Sequence, residues 1–320
     1  INRAYYAIQR PMITKDGIYT QGIYGFLSML SKIRTEYNPT HMLVAFDRKA
    51  PTFRHLEYSE YKAGRKKMPP ELAMEMPVLK DVLDAMGIAR FEEDGWEADD
   101  IIGTTAKMAE KAGIEAYIVT GDKDALQLAT ETTKVIYTKR GISEFKLYDD
   151  AAMIEEYGFD HIQFIDYKAL RGDTSDNIPG IEGVGEKTAI SLINQFGSID
   201  NMISNLADIK NAKLKEKIEN NIDQLKMSKM LVTIVTDVPV DYSISDLAIK
   251  EPDNEKLISL YTKLEFKTHL ARLLKSGNVN LNKAEEDNSP TPADVPDLSN
   301  LDVKVITDDV LATLAKALVA

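Results

Sequence analysis

Eight acidic residues recur in four short groups along this chain, and three of the groups adjoin apolar stretches. The groups are Asp47, Glu97 with Asp99 and Asp100, Asp122 with Asp124, and Asp173 with Asp176. Residues 42–46 and 116–120 are apolar runs that end just before acids, as the strands of an open sheet would. Because parallel strands end at one edge of a sheet, we expect these acids to converge there. Converging carboxylates repel one another unless cations neutralise them, so the pattern predicts a magnesium site.

A second explanation exists for the acids at 97–100. They begin an apolar helical segment, and acids in a first helical turn also favour the positive end of the helix dipole. The recurrence of the other three groups favours the metal site over this explanation.

Composition excludes several classes of protein. With 320 residues the chain is long enough for two domains, and no run of eighteen apolar residues is present that could span a membrane. Cysteine is absent and the four histidines are widely spaced, which argues against disulfides, thiolate or all-histidine metal sites and a serine–histidine triad. We expect a cytoplasmic protein.

The net charge of −12 is unevenly distributed. Residues 1–80 carry thirteen Lys and Arg against seven Asp and Glu, whereas residues 81–176 carry ten against twenty-two. A basic segment beside an acidic one suits a polyanion held next to a metal centre, because bound metals offset the acids that would otherwise repel phosphate.

Apolar periodicity predicts alternating strands and helices up to about residue 149, which indicates a mostly parallel α/β sheet. The runs 134–138 and 142–147 favour a hairpin, and the chain beyond 149 is predicted to be helical. Residues 277–300 are predicted to be a polar, proline-bearing linker, and we expect the strand and helix predicted after it to begin another domain.

A basic segment at 48–70 interrupts the α/β alternation. Its lysines and arginines, among them Arg54, Lys62 and Arg65, are interleaved with aromatic residues such as Tyr61. Most such charge runs are solvated loops, but cations mixed with aromatics also neutralise phosphates and stack on bases.

A glycine-rich segment at 177–189 precedes a predicted helix. Glu186 separates Gly185 from Lys187, so the segment is no Walker loop, and its glycine spacing differs from a dinucleotide fingerprint. Glycines before a helix expose backbone N–H groups for a phosphate, although a plain helix-turn-helix corner explains the pattern as well.

Together these motifs resemble the family of 5′ nuclease domains that begin bacterial DNA polymerases I, relatives of the flap endonucleases. The resemblance covers roughly residues 1–276 and rests on Phe46-Asp47, the arch at 51–65, Glu97–Asp100, Thr120–Asp124, Gly172–Gly180 and Gly183–Ala189. The linker and the following strand are similar to the passage into the polymerase's 3′ to 5′ exonuclease-like domain.

The resemblance implies a fold and a division into domains. The fold would be a PIN-like, mostly parallel sheet flanked by helices with a basic arch, followed by a helical helix-hairpin-helix subdomain. The implied domains are an α/β nuclease domain at 1–170 with its arch at about 48–80, a DNA-binding subdomain at 171–276, a linker at 277–300 and a further domain from 301.

The resemblance also implies a function and a set of site residues. A two-metal phosphodiesterase would cleave 5′ flaps and 5′ ends of nicked or branched duplex DNA in primer removal and repair, as a monomer with polymerase domains downstream. Mg²⁺, with Mn²⁺ as a substitute, would be held by the eight acids of the four groups. Lys62 and Arg65 would stabilise charge on the scissile phosphate, and Arg54 and Tyr61 would contact DNA. Gly183, Gly185 and Lys187 would grip duplex phosphates around a K⁺ ion.

One feature departs from the family. The family begins with a strand that ends in Asp-Gly, whose aspartate is a metal ligand, and this sequence starts just after that position. We therefore expect the chain as written to be strongly impaired in cleavage. A non-catalytic, structure-selective DNA-binding module is the main alternative. A PIN-like ribonuclease and a small-molecule hydrolase are disfavoured by the arch and the glycine-rich hairpin.

Overall fold

The structure is a computed structural model that describes residues 1–8, 10–140 and 144–275. The predicted linker at 277–300 and the strand and helix after it lie outside the described residues. Within the described part, no helix is both long and apolar enough to cross a membrane.

Strands and helices alternate in the first half of the chain, as the periodicity predicts. The strands are β1 Leu43–Ala45, β2 Ala89–Phe91, β3 Ala116–Thr120, β4 Thr133–Arg140 and β5 Glu144–Tyr148. The helices of this half are α1 Asn2–Ala7, α2 Gln21–Tyr37, α3 Phe53–Glu57, α4 Pro70–Ala85, α5 Ala98–Lys111, α6 Asp150–Tyr157 and α7 His161–Arg171, with a 3₁₀ helix at Lys123–Leu128.

The second half is helical. Its helices are α8 Glu186–Phe196, α9 Ile199–Ser204, α10 Ala212–Glu219, α11 Ile222–Val232, α12 Asn254–Lys263 and α13 Lys267–Lys275. Short α9 was not separated from its neighbours by sequence periodicity, because Gly197 and Ser198 permit either a loop or a new helix start there.

The described strands pair into two sheets and not one continuous sheet. β1 and β2 are parallel, with Val44 opposite Arg90. β3 and β4 are parallel, with Ile118 opposite Val135, and β5 adds to β4 in the predicted antiparallel hairpin. The mostly parallel pairing is thus confirmed. Asp47 follows β1 and Asp122 follows β3, so the acids do lie past the carboxyl ends of parallel strands.

Local signals explain where the helices begin and end. Asn38 adopts a left-handed conformation with φ of 43° at the end of α2, which is where asparagine is tolerated. Pro70 begins α4 at the position where a missing N–H costs nothing. Asp160 accepts a hydrogen bond from Gln163 N and caps α7.

Two hydrophobic cores support these elements. The larger is continuous from Ile118 and Val135 in the sheet through Phe164 of α7 to Leu225 of α11. The smaller joins α2 and α4 to α12. Because α7 packs on both the sheet region and the helical region, it fixes the loop that follows it relative to the acids of the sheet.

Candidate active site

The acid groups meet at a polar cavity of about 140 Å³. Its polar lining residues are Asp47, Arg54, Tyr61, Lys62, Arg65, Glu97, Asp99, Asp122, Asp124 and Asp176. Acids from all four groups therefore converge, as the spacing past the strands predicts. Leu231, Val232 and Ile234 close its apolar side.

Helix α5 positions the first acids. Asp47 reaches across from the end of β1, and its Oδ1 accepts a hydrogen bond from Ala98 N at 2.9 Å. Glu97 is the N-cap residue of α5 and Asp99 lies in its first turn. The positive end of the helix dipole favours negatively charged residues at this position. The same helix N-terminus places Glu97 and Asp99 at the cavity.

Asp99 is surrounded by other carboxylates. Burial and the carboxylates of Asp122, Asp47 and Glu97 raise the pKa of Asp99 to about 7. A carboxyl that is costly to ionise among other carboxyls is stabilised by added positive charge. The cavity therefore favours a cation beside Asp99.

The loop after α7 supplies the last acid pair. Asp173 and Ile178 exchange two backbone hydrogen bonds of 2.8 and 2.9 Å, which closes the loop. Asp173 Oδ1 also accepts from Ser175 N at 2.7 Å. Although burial opposes it, hydrogen bonds from Lys168 and Ser175 lower the pKa of Asp173 to about 2.

Gly172 is required for the shape of this loop. It has φ of +74°, and a Cβ there would lie 2.4 Å from Gly180 N and 2.7 Å from Ile178 O. We expect Gly172→Ala to lower the free energy of unfolding by about 2 to 4 kcal/mol, from backbone strain and overpacking together. Urea denaturation followed by circular dichroism measures this.

Gly113→Ala is the matched control for that substitution. Gly113 has a similar φ of +70°, but nothing lies within 4 Å of the added Cβ. The control should cost only about 1 kcal/mol, from strain alone. Equal costs for the two variants would show that the close approach at Gly172 is unimportant.

The base of the arch is attached to the same loop. Lys62 N donates to Asp176 O at 2.8 Å, and Asn177 Nδ2 donates to Glu60 O at 2.7 Å. The Lys62 ammonium lies 2.7 Å from Glu97 Oε1 and 3.7 Å from Asp176 Oδ2, while the Arg65 guanidinium contacts Asp176. Both predicted arch cations are therefore at the cavity.

Three residues have surroundings that differ from the expectation. Asp100 is fully buried, and its two oxygens accept from Arg54, Glu97 N and Val235 N. Arg54 is only 3% exposed and is bonded in addition to the carbonyls of Leu231 and Thr233. These two side chains have their polar groups committed to each other and to the backbone, so Asp100 is not placed to ligate a metal and Arg54 is not placed to contact DNA.

Tyr61 is the third such residue. Its side chain is 4% exposed and its hydroxyl donates to Glu97 Oε2 at 3.2 Å. A ring with so little free surface cannot stack on a base. The sequence predicts that Tyr61 contacts DNA from the arch. In the structure its ring belongs to the hydrophobic core and its hydroxyl helps to orient Glu97.

Lys168 was missed by the sequence reasoning. It lies on the buried face of α7 and contacts both Asp124 and Asp173. Its neighbours Tyr167 and Ala169 are also buried, and a lysine flanked by core residues five positions before an acid was the signal that could have indicated it.

The donors fit a hard divalent cation in chemistry. They are carboxylate oxygens, which Mg²⁺ prefers. The buried Asp124 Oδ1 has no well-directed hydrogen bond. In the structure Lys62, Arg65 and Lys168 pair with these acids. No three acids among the described residues lie close enough together to share one ion.

The glycine-rich hairpin lies on the surface of the helical half. Gly183, Gly185 and Lys187 are exposed, while Ile181 and Val184 are buried beneath them. Helix α11 supports the hairpin, since Ser228 Oγ donates to Pro179 O at 2.6 Å and Gln224 Nε2 donates to Gly180 O at 3.0 Å. Backbone N–H groups at the start of α8 therefore face solvent beside a lysine.

Two family models match this chain in succession. The model of the 5′-3′ exonuclease N-terminal resolvase-like domain matches residues 1–158, and that of the 5′-3′ exonuclease C-terminal SAM fold matches residues 159–255. The chain belongs to the 5′-3′ exonuclease family.

Among the relatives of this exonuclease chain, DNA polymerase I of Bacillus subtilis (strain 168) is 45% identical over 307 residues, which are 96% of this chain and 33% of that protein. DNA polymerase I of Bacillus caldotenax is 44% identical over 272 residues, which are 85% of this chain and 31% of that protein. The chain thus spans about a third of the length of these relatives.

Solved structures share the fold of this exonuclease chain. T5 5′-exonuclease with bound zinc ions has a TM-score of 0.58 at 23% identity, covering 76% of this chain and 90% of that one. The catalytic core of Rad2 in complex with DNA substrate has a TM-score of 0.56 at 18% identity, covering 82% and 87%. The sheet flanked by helices with a helical second half is therefore confirmed as the fold of these nucleases.

Proposed function

We propose that this chain is a metal-dependent 5′ nuclease that hydrolyses phosphodiesters at 5′ flaps and 5′ ends of duplex DNA. The observation that supports this most directly is the convergence of acids from four separated segments on one cavity, with Lys62 and Arg65 beside them. The family membership and the arch together favour DNA over a compact substrate.

The acids that would hold two or more divalent ions are the six that line the cavity, together with Asp173, which Lys168 links to Asp124. They are Asp47, Glu97, Asp99, Asp122, Asp124, Asp173 and Asp176. Mg²⁺ is the proposed ion, with Mn²⁺ as a substitute. When bound, such ions activate a water molecule and stabilise the leaving oxygen of an in-line displacement.

Lys62 and Arg65 would exchange partners when substrate binds. Both contact carboxylates in the structure. A phosphate at the cavity offers these cations a new anion, while the acids they leave are free for metal. In that position the two cations would stabilise charge that develops on the scissile phosphate.

The hairpin would bind the duplex. Exposed backbone N–H groups near Gly183 and Gly185, with Lys187, suit contacts to phosphate oxygens, and K⁺ is the proposed ion at this element. These contacts would position the duplex without reading its sequence.

Lys187→Ala tests the hairpin proposal. We expect flapped-duplex binding to weaken severalfold and the slope of log K against log salt to fall by about 1, because one phosphate contact is lost. Fluorescence anisotropy over a salt series, in chelator, measures both quantities. Lys250→Ala removes an exposed lysine outside the hairpin and should change neither. Unchanged binding by the Lys187 variant would contradict the proposal.

The biological setting is proposed from the relatives. A chain similar to about a third of DNA polymerase I would act in primer removal and excision repair in the cytoplasm, as a monomer joined to polymerase domains downstream. Coupling of flap removal to synthesis would follow from that linkage.

Cleavage of a 5′-labelled flap duplex, with Mg²⁺ and with chelator, tests the proposed function. Magnesium-dependent incision near the junction supports it. Tight flap binding without incision, in a chain that also binds no divalent ion, would favour the non-catalytic DNA-binding module instead. Stronger cleavage of a matched RNA strand than of the DNA flap would favour a ribonuclease.

A further inference from the structure

Lys168 joins two acids from different segments of the chain. Its Nζ lies 2.6 Å from Asp124 Oδ1 and 2.5 Å from Asp173 Oδ2. Asp124 is in the 3₁₀ helix after β3, and Asp173 is in the loop after α7. One ammonium therefore connects the third and fourth of the acid groups.

The surroundings of Lys168 differ from those of a surface lysine. Its side chain is 6% exposed, and those of Asp124 and Asp173 are 17% and 16% exposed. Lysine is rarely buried to this extent unless it is paired. Removing either partner would leave charge buried without compensation.

The contact with Asp124 is more electrostatic than directional. Asp124 Oδ1 is fully buried and has no well-directed hydrogen bond, even though the ammonium is close to it. A divalent cation would offer this oxygen the same attraction between opposite charges, and carboxylate oxygens are ligands that Mg²⁺ accepts. Lys168 thus stands between two carboxylates as a single positive charge.

We propose that Lys168 is a positioning residue that holds Asp124 and Asp173 together without metal and competes with a divalent cation for them. This inference rests on the proposed function, which assigns these two aspartates to divalent ions. A cation that enters between them must displace the ammonium or bind beside a like charge. Lys168 therefore stabilises the metal-free fold and weakens cation binding at this pair.

Calorimetric titration of the full chain with MgCl₂ and with MnCl₂, in the absence of DNA, tests the proposal. We expect Lys168→Met to bind the divalent ion at least about tenfold more tightly than the parent chain, because a like charge a few ångströms from the ion is removed. The metal-free melting temperature should fall by roughly 5 to 10 °C, since two buried carboxylates lose their partner. Saturating Mg²⁺ should restore most of that loss.

Two further variants separate charge from packing. Lys168→Arg retains the positive charge and should resemble the parent chain in ion affinity. Lys229→Met is the matched control, because Lys229 also pairs with two aspartates, Asp166 at 2.8 Å and Asp200 at 3.2 Å. It should lower the melting temperature without altering ion affinity or restoration by Mg²⁺. If Lys168→Met does not fold, Lys168→Gln takes its place in the same titrations.

The outcomes distinguish the two proposals. If Lys168→Met binds the ion no more tightly than the parent chain does, the proposed role of Lys168 is overturned while the metal site is left intact. Absence of Mg²⁺ and Mn²⁺ binding in every variant, including the parent chain, would instead remove the proposed metal-dependent function, and with it the competition.

Discussion

Asp122→Asn and Asp173→Asn, made singly, are expected to reduce incision of a 5′ flap by about a thousandfold relative to the parent chain. Each substitution removes a negative charge from the proposed metal ligands, and metal ions contribute several kcal/mol of transition-state stabilisation. Single-turnover cleavage with labelled flap DNA at saturating Mg²⁺ measures the effect. Each variant is compared with the parent chain in the same buffer, so the expected ratio of rates does not depend on how fast the parent chain cleaves.

Binding must be separated from chemistry in these variants. Flap affinity in chelator should be unchanged or higher, because repulsion between an acid and the DNA phosphates has been reduced. Asp84→Asn is the matched control, since Asp84 is a partly exposed carboxylate paired with Arg90 outside the cavity. Incision retained at the parent rate in both active-site variants would show that these acids do not serve the reaction.

Arg54→Met is expected to lower the free energy of unfolding by about 3 to 5 kcal/mol. Arg54 is 3% exposed, and its guanidinium bonds to both oxygens of Asp100 at 2.7 and 2.8 Å. Its removal leaves the fully buried Asp100 carboxylate without its cation. Guanidinium chloride unfolding followed by circular dichroism measures the loss.

Arg90→Met provides the comparison for Arg54. Arg90 makes a similar two-bond pair with Asp84, but the two side chains are 34% and 41% exposed. Solvent screens such a pair, so this control should cost about 1 kcal/mol or less. A double variant, Arg54→Met with Asp100→Leu, should lose less than the sum of the single losses, because the unpaired charge is gone. Strict additivity would contradict the explanation by a buried unpaired charge.

Sequence reasoning placed the site because the relevant signals are local. Asp47 and Asp122 stand directly after apolar runs, and the carboxyl ends of parallel strands share an edge whatever the rest of the chain does. For the glycine-rich hairpin, the glycine spacing and the following helix favour exposed N–H groups, but they leave a plain helix-turn-helix corner open as well. Helix boundaries such as those of α2 and α4 were marked by Asn38 and Pro70.

Roles that depend on contacts between distant segments were not accessible in this way. Arg54 looks like one more cation of a basic run, and only the approach of α5 and of the C-terminal end of α11 gives it buried partners. Tyr61 looks in sequence like any exposed aromatic residue of the arch, because its burial depends on segments distant in the chain. Lys168 lies 44 residues from Asp124 in sequence, so their pairing is a property of the packed fold.

The division of the strands into two sheets has the same cause. Residue patterns indicate that a segment is extended and which face is apolar, but pairing partners depend on the global path of the chain. Each of the two strand pairs, β1–β2 and β3–β4, is parallel as expected. The sequences of these segments do not specify whether the two pairs join into one sheet.

The attachment of the arch base to the acid loop limits which part of the arch can move relative to the acids. Because Lys62 N is bonded to Asp176 O and Asn177 to Glu60 O, the first turn of the arch moves only if the aspartate loop moves with it. Arg65 also contacts Asp176. In the proposed nuclease, a segment that opens to admit a flap must therefore lie beyond Arg65, in the exposed residues 66–68. In the proposed nuclease, the residues that hold the acid loop in place and the residues that admit the substrate would therefore be neighbours in one short segment of the chain.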